Sequence, residues 1–297
     1  ALARRVIEGL IKSIEGLEVA AKIQAIVGEG PAWNAELGVL HSVDIRGEKV
    51  YTYDPALGTL EFFSTKSAPG AVLPTTGNKL AIALVDGIYL ANLDGSNLVN
   101  KFMIEAEILG NRMNDAKCDP NGVLFAGTMG DKKSPSGSLY RINSKIFEKV
   151  CKDVIVSNGL GWNTDGSKMY FIDSGRRSVQ VSDYDLATSS IIGFKNFIEF
   201  PVSFGIPDGL CADQEGGIWV AFFGGQQVRR FSESGIQTHE IHLPAPLVTS
   251  CCFAGEDSTI LYITTASIDL GDGRTIGSEE GNLFCIDVGI PGSGTVP

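Results

Sequence analysis

The 297-residue sequence lacks the features that identify several common classes of protein. It has no run of about 18 apolar residues, so a transmembrane helix is excluded on length. Its 24 Lys and Arg residues stand against 35 Asp and Glu residues, giving a net charge of −11. Nucleic-acid binding needs clustered cations that are absent here. There is no Gly-x-Ser-x-Gly, His-Glu-x-x-His, GxGxxG or P-loop motif, which excludes those catalytic and nucleotide-binding sites. We therefore expect neither nucleic acid nor a membrane as a partner.

Cysteine and histidine are also too few and too scattered to indicate a metal cluster. The chain has three histidines and six cysteines, and the cysteines follow no metal-ligand spacing. The side chains of the adjacent Cys251 and Cys252 would point to opposite faces of a strand. An even number of cysteines permits disulfides, but no Asn-x-Ser/Thr site supports secretion. We interpret the cysteines as small buried hydrophobic residues and expect a cytoplasmic protein.

The 36 glycines include members of a repeated unit in which a turn residue precedes a hydrophobic strand. The intervals between these turn residues are 39, 45, 44, 50 and 42 residues, close to the length of a four-stranded propeller blade. The turn residues are Gly38, Gly77, Gly122, Gly166, Gly216 and Ser258. This spacing predicts an all-β, six-bladed β-propeller over residues 18–297. A β-sandwich with regularly spaced turns is the alternative.

The first 17 residues stand outside the repeat. Apolar residues at helical spacing, interrupted by charged ones, predict a short amphipathic helix over residues 1–17. The apolar positions are Leu2, Val6, Ile7, Leu10, Ile14 and Leu17. We expect this extension to pack on the flank of the propeller.

Four oxygen-bearing residues occur eight or nine positions before these turns: Glu29, Asn114, Asn158 and Asp208. The first strand of each blade lines the central channel, so residues at one register position would form a ring there. Two carboxylates and two amide oxygens make an all-oxygen set of formal charge −2, which suits a divalent cation of the Ca²⁺ type. Each residue alone is better explained as part of an ordinary turn or loop. Their common offset is what favours a metal-binding channel.

The chain also resembles a known family, which comprises regucalcin (senescence marker protein), gluconolactonase and luciferin-regenerating enzyme. The resemblance runs from about residue 28 to about residue 286 and is carried by six short motifs. They are Gly-Glu-Gly-Pro-Ala-Trp (28–33), Arg-Met-Asn-Asp-Ala-Lys (112–117), Ser-Asn-Gly-Leu-Gly-Trp (157–162), Tyr-Phe-Ile-Asp-Ser (170–174), Pro-Asp-Gly-Leu (207–210) and Thr-Ser-Cys-Cys-Phe (249–253).

The resemblance implies a six-bladed propeller with one divalent metal in its channel. The family's metal ligands correspond to Glu29, Asn158 and Asp208, the residues that the repeat selects. Its substrate-contacting pair corresponds to Arg112 and Asn114, with Asn114 near the metal or bound to it through water. We also expect Asp173, at the end of a strand, to support Asn158 or the neighbouring backbone.

One departure from the family pattern concerns substrate binding. Lactonases close to regucalcin carry acidic residues after a Gly-Thr-Met segment, and one of them holds substrate hydroxyls. Here residues 127–129 are followed by Gly130, Asp131, Lys132 and Lys133, which places Lys132 at the acidic position. Asp131 is the candidate replacement in substrate binding.

The resulting hypothesis is metal-dependent hydrolysis of a sugar or related lactone, with Asp208 as the catalytic base. The expected cofactor is one divalent cation, Ca²⁺ first, with Zn²⁺, Mg²⁺ and Mn²⁺ as alternatives. The expected partner is a small-molecule lactone, and the chain is expected to be a monomer or weak dimer. Three alternatives stay open: a calcium-binding regulatory protein, a luciferin-regenerating or organophosphate-hydrolysing enzyme on the same scaffold, and a propeller that serves as an interaction scaffold.

Overall fold

The chain is built almost entirely from antiparallel β-sheet. The computed structural model describes residues 11–130, 134–271 and 273–294. Over these ranges it forms six sheets of four or five strands, and its only helical segments are two single 3-10 turns, Ser174–Arg176 and Val202–Phe204. None of these helical segments has the length and apolar character needed to cross a membrane. The chain is an all-β, six-bladed propeller, as predicted, which rules out the β-sandwich.

The first three blades follow each other along the sequence, each running from an inner strand to an outer one. Blade 1 begins after two short strands that precede it in the chain. In chain order the strands are β1 (Lys12–Ser13), β2 (Glu18–Ala21), β3 (Gly28–Asn34), β4 (Val39–Asp44), β5 (Lys49–Asp54), β6 (Thr59–Ser64), β7 (Ala71–Thr75), β8 (Lys79–Leu84), β9 (Gly87–Asn92), β10 (Val99–Met103), β11 (Arg112–Cys118), β12 (Leu124–Met129), β13 (Gly137–Ile142) and β14 (Phe147–Val154). Blade 1 is β3 to β6, blade 2 is β7 to β10 and blade 3 is β11 to β14.

The last three blades have the same plan, with additions at their outer edges. The remaining strands are β15 (Ser157–Trp162), β16 (Lys168–Asp173), β17 (Ser178–Asp185), β18 (Ser190–Ile191), β19 (Lys195–Glu199), β20 (Ile206–Ala212), β21 (Ile218–Phe223), β22 (Gln227–Phe231), β23 (Gln237–His242), β24 (Val248–Ala254), β25 (Ile260–Thr265) and β26 (Leu283–Asp287). In blade 4, both β18 and β19 pair with β17. Blade 5 is β20 to β23 with β1 outside it, and blade 6 is β24 to β26 with β2 outside it.

The predicted turn residues lie at one structural position in all six blades. Each falls between the inner strand and the second strand, and each has a positive φ, from 55° at Ser258 to 79° at Gly77 and Gly216. Glycine adopts this conformation without steric cost, which explains its use at five of the six turns. The repeat read from the sequence is therefore the blade repeat.

Neighbouring blades are joined by apolar side chains packed between their faces. Between blades 3 and 4, the Trp162 ring lies 5.4 Å from that of Phe125 and 5.9 Å from that of Tyr184, measured between centroids. Val43 and Val50 of blade 1 share a buried cluster with Leu80 and other residues of blade 2. Each side chain of this size contributes about 1.5–3 kcal/mol when fully buried. These layers hold the inner strands in register around the channel.

The predicted N-terminal helix is wrong over residues 11–17. Lys12 and Ser13 form a strand that pairs in parallel with His239 and Glu240 at the outer edge of blade 5. Ile14 and Leu17 pack against the core between blades 5 and 6. These two side chains, predicted to face one side of a helix, are instead partly buried against two blades, so tertiary packing overrides the local periodicity there. The rest of the predicted helix, residues 1–10, lies outside the described residues.

The prediction of buried cysteines is confirmed for Cys211, Cys251 and Cys252, whereas Cys118, Cys151 and Cys285 are only partly buried. All six are free thiols, and Cys251 and Cys252 pack into clusters on opposite sides of β24. The Sγ atoms of Cys211 and Cys251 are 3.6 Å apart and not bonded to each other covalently.

Two glycines allow the inner strands of blades 4 and 5 to approach closely near the channel. A Cβ atom added to Gly159 would lie 2.6 Å from the backbone nitrogen of Leu210 and 2.8 Å from the backbone oxygen of Asp208. Real Cβ atoms do not make such contacts with backbone, so a side chain there would push the two strands apart. Gly161, two residues further on, faces only the Leu210 side chain closely, with Cδ1 at 2.7 Å.

We expect Gly159→Ala to lower the free energy of unfolding by about 1–3 kcal/mol, because backbone atoms of blade 5 must move. Gly161→Ala is the matched control and should cost less than about 1 kcal/mol, since the Leu210 side chain can rotate away. Urea unfolding of both variants measures the difference. Equal losses of stability in the two variants would contradict the close-approach argument.

Candidate metal centre

A β-bulge interrupts the inner strand at the same place in five of the six blades. The pairing register shifts between Glu29 and Ala32, Met113 and Ala116, Ser157 and Leu160, Pro207 and Leu210, and Val248 and Ser250. Bulges re-aim side chains and are common beside functional sites. Blade 2 has a regular inner strand, with β7 pairing to β8 without a shift.

All four oxygen-bearing residues predicted from the repeat lie in or at the edge of these bulges. Glu29, Asn114, Asn158 and Asp208 line one cavity of about 400 Å³ at one end of the channel. Their side chains are nearly buried, with exposed fractions of 5–8%. The predicted substrate residue Arg112 lines the same cavity. The structure thus gathers residues from blades 1, 3, 4 and 5 at one point.

The carboxyl groups of Glu29 and Asp208 lie close to each other at the floor of the cavity, near enough for Asp208 to affect the pKa of Glu29. Burial, with a smaller contribution from the nearby Asp115 carboxylate, raises the pKa of Glu29 to about 8, although the Gly30 N–H, Arg112 and Asp208 each act to lower it. The Gly30 N–H donates to Glu29 Oε2 at 2.9 Å. Two carboxyl groups in such contact cannot both ionise unless a cation neutralises them. A cation that binds at the floor of the cavity would therefore replace the proton of the carboxyl pair.

A chain of hydrogen bonds fixes the orientation of the two asparagines. Arg112 Nη1 donates to Asn114 Oδ1 at 2.7 Å, and Asn114 Nδ2 donates to Asn158 Oδ1 at 3.0 Å. Asn158 Nδ2 in turn donates to Ser174 Oγ at 2.8 Å, and Ser174 Oγ donates to the Pro207 carbonyl at 2.6 Å. Because its nitrogen faces Ser174, Asn158 presents its oxygen to the cavity. Asn114 connects Asn158 to Arg112, since its oxygen accepts from Arg112 and its nitrogen donates to Asn158.

Two aspartates hold the segments that lead into the inner strands. Asp173 accepts from the backbone N–H groups of Ile155 and Val156 at 3.1 and 3.0 Å. Asp44 accepts from the corresponding groups of Ile26 and Val27 at 2.9 and 3.0 Å. The prediction that Asp173 supports the site through neighbouring backbone is confirmed, and Asp44 does the same in blade 1. Both are hydrogen bonds to a charged acceptor, which are among the stronger kind.

The donor set at the cavity floor fits a hard divalent cation. Two carboxylates and the Asn158 amide oxygen are the ligand type that Ca²⁺ and Mg²⁺ prefer. In the part of the chain that the structure describes, no three His, Cys, Asp or Glu side chains cluster as metal ligands. His41, His239 and His242 lie in β4 and β23, away from the cavity lining. The set thus depends on an amide oxygen and does not resemble a structural zinc site.

Sequence reasoning missed Asp115 and Arg46. Asp115 is buried and lines a second cavity, of about 280 Å³, beside Lys117 on the other side of the site, and its negative charge reaches Glu29. Arg46 lines the first cavity and lies close enough to lower the pKa of Arg112, which burial lowers first. The sequence signal for Asp115 was its position at the end of the Arg-Met-Asn-Asp motif. Arg46 stands in a turn and gave no sequence signal.

Residues 27–267, which contain Glu29, Arg112, Asn114, Asn158 and Asp208, match the region called SMP-30/Gluconolactonase/LRE-like. The chain belongs to this family. It is 34% identical over 281 residues to YvrE of Bacillus subtilis (strain 168), provisionally named a sugar lactone lactonase, covering 93% of this chain and 96% of that protein. The family resemblance read from the motifs is confirmed.

Solved structures of the SMP-30/gluconolactonase/LRE-like family share the complete fold. A luciferin-regenerating enzyme superposes with a TM-score of 0.88 at 31% identity, over 93% of this chain and 97% of that one. A calcium-binding protein, regucalcin, from Agrobacterium tumefaciens str. C58 gives a TM-score of 0.88 at 26% identity, over 96% of both chains. The family's substrate segment after Gly-Thr-Met falls here on residues 131–133, so Asp131 and Lys132 lie outside the described residues.

The raised pKa of Glu29 generates a prediction about cation binding. A cation that binds Glu29 must displace its proton, so calcium affinity should fall as the pH decreases below about 8. We expect each Ca²⁺ bound at about pH 7 to release close to one proton. Calorimetric titration in two buffers of different ionisation enthalpy counts these protons.

Two aspartate variants test the origin of this proton release. Asp115→Asn removes the negative charge that helps to raise the Glu29 pKa, so it should reduce proton release at about pH 7. Asp165→Asn removes a fully exposed charge in a distant turn and should leave proton release unchanged. Calcium binding without proton release in the unmodified protein would contradict the assignment of Glu29 as a ligand.

Proposed function

We propose that this protein is a divalent-cation-dependent lactonase. The observation that carries the proposal is the buried Glu29–Asp208 carboxyl pair at the floor of a cavity that also contains Asn158 and Arg112. Membership of the SMP-30/gluconolactonase/LRE-like family and similarity to a provisionally named sugar lactone lactonase support a lactone as substrate. Sugar lactones are the class that the relative's name indicates.

The cation would be held by Glu29, Asn158 and Asp208, with Asn114 next to it. Ca²⁺ is the first candidate because all these donors are oxygens and because a structural neighbour is described as a calcium-binding protein. When bound, a divalent cation supplies Lewis-acid polarisation of the lactone carbonyl. The two carboxylates that are costly to bury next to each other then become its ligands.

The chain's own residues supply the other elements of ester hydrolysis. Asp208 is the candidate base that takes a proton from the water adding to the carbonyl carbon. The ring C–O bond then breaks, the ring oxygen takes a proton, and the product is the open hydroxy acid. Arg112 is held by the Met113 carbonyl and by Asn114, so its guanidinium is positioned to bind a substrate oxygen.

The proposal is tested with metal-stripped protein and a panel of aldonolactones. Turnover should be absent without metal and restored by adding one divalent cation, with Ca²⁺ tried beside Zn²⁺, Mg²⁺ and Mn²⁺. Acid release followed with a pH indicator measures the rate. Tight calcium binding without turnover of any lactone would overturn the lactonase proposal and favour the calcium-binding role that the neighbour's description names.

Substitution of the carboxyl pair provides the second test. We expect Asp208→Ala to lower kcat by about 10³-fold or more and to weaken calcium binding at the same time, because it removes both base and ligand. Glu29→Gln keeps the size of the side chain but removes one ligand charge, so it should also abolish metal-dependent turnover. Asp165→Asn serves as the control for a loss of negative charge elsewhere. Near-normal activity in Asp208→Ala would show that Asp208 is not the base.

A further inference from the structure

The wall of the metal-site cavity is apolar, in contrast to its floor. Nine of the eighteen lining residues are Val, Ile, Leu, Met or Phe. The polar floor residues are nearly buried, whereas Ile206 is 42% exposed and Leu270 50% exposed. Ile155, Phe223 and Ile268 are partly exposed on the same lining. These five apolar residues therefore stand nearer the mouth, where the part of a substrate remote from the reacting carbonyl would lie, whereas Ile45, Met129 and Val156 are as buried as the floor.

These wall residues come from blades 4 to 6 and their connections. Ile155 and Ile206 lie at the entries to the inner strands β15 and β20, Phe223 ends β21, and Ile268 and Leu270 follow β25. Arg112 and Asn114 stand in blade 3. The lining therefore combines these apolar residues of blades 4 to 6 with side chains that can bind oxygen atoms, among them Arg112 of blade 3 and the exposed Arg46 after β4.

Most polar side chains on the lining are already engaged with the protein. Ser174 Oγ donates to the Pro207 carbonyl and accepts from Asn158. The Thr249 hydroxyl is bonded to the Gly28 carbonyl and to Thr264. Asn114 uses both ends of its amide on protein partners. A polyhydroxylated ring would place hydroxyl groups against the apolar wall, and each unmatched hydroxyl lowers affinity markedly.

We infer that the preferred lactone carries an aliphatic substituent of several carbons, which packs on the wall formed by Ile155, Ile206, Phe223, Ile268 and Leu270. This inference rests on the proposed lactonase function and narrows its substrate class. The chemistry is the same hydrolysis, in which water adds to the carbonyl carbon and the ring C–O bond breaks to give a hydroxy acid. The aliphatic group contributes binding, and the floor residues contribute the reaction.

A series of lactones with one ring size and increasing chain length tests the inference. The calcium-loaded protein is assayed with δ-valerolactone, δ-hexalactone, δ-octalactone, δ-decalactone and, as the hydroxylated counterpart, D-glucono-1,5-lactone. We expect kcat/KM to rise about fourfold per methylene, since burying one methylene is worth about 0.8 kcal/mol. A flat series, or a gluconolactone value above that of δ-decalactone, would overturn the inference.

Two double variants with matched residue types locate the effect. Ile206→Ser with Leu270→Ser removes exposed wall residues, and should reduce the ratio of δ-decalactone to δ-valerolactone kcat/KM by about tenfold or more. Ile236→Ser with Leu57→Ser removes the same residue types at 58% and 74% exposure, away from the cavity, and should leave the ratio unchanged. An unchanged ratio in the first pair would contradict the role of the wall.

Binding of the open-chain products separates this inference from the proposed function. Calorimetry should show 5-hydroxydecanoate binding the calcium-loaded protein more tightly than 5-hydroxypentanoate, and the first double variant should lose the difference. That result with no turnover of any lactone would support the binding of aliphatic groups by the wall and would overturn the lactonase proposal. Metal-dependent turnover of gluconolactone with no chain-length effect in rate or binding would support the lactonase proposal and overturn the inference about the wall.

Discussion

The structure depends on one constraint, the repeated bulge in the inner strands of the propeller. A regular strand alternates its side chains between two faces that pack against the neighbouring blades. At the bulges this alternation is interrupted, which lets Glu29, Asn114, Asn158 and Asp208 lie on the channel cavity without removing apolar residues from the layers between blades. Blade 2, whose inner strand has no bulge, contributes none of these four residues. Blade 6 has the bulge but carries Thr249 there, so the asymmetry of the site follows both from where the inner-strand bulges occur and from which residues they carry.

The bulges bring several carboxyl groups together in a buried region, where negative charge is unfavourable. Glu29, Asp208 and Asp115 are all nearly buried, and burial is the main reason that the pKa values of Glu29 and Asp115 are raised. Arg112, Lys117 and the Gly30 N–H compensate in part. A ligand that binds only the folded state stabilises it, so a cation at this point would relieve the electrostatic cost and stabilise the fold together. Cation binding at the site and the stability of the channel therefore depend on the same buried charges.

The sequence specified the blade repeat and the residues of the floor because both are periodic. The turn residues from Gly38 to Ser258 recur at the blade interval, and the oxygen residues precede four of them by eight or nine positions. The N-terminal segment has no such relation to the repeat. Ile14 and Leu17 fit a helical period, yet they are partly buried against the core between blades 5 and 6, whose residues are about 200 or more positions away in the sequence. A local hydrophobic pattern does not predict a contact between residues so far apart in the sequence.

The cavity wall was unpredictable for a different reason. Ile155, Ile206 and Leu270 occupy connections or strand ends, where an apolar residue has no periodic partner and is indistinguishable from a scattered surface hydrophobe. Only the fold shows that they surround a buried charged floor. Such a wall would affect more than binding, because a hydrocarbon group packed over the floor excludes water from it. Charges act more strongly where water is excluded, so Asp208 and Arg112 would exert their greatest effect on a substrate whose remote part fills the mouth of the cavity.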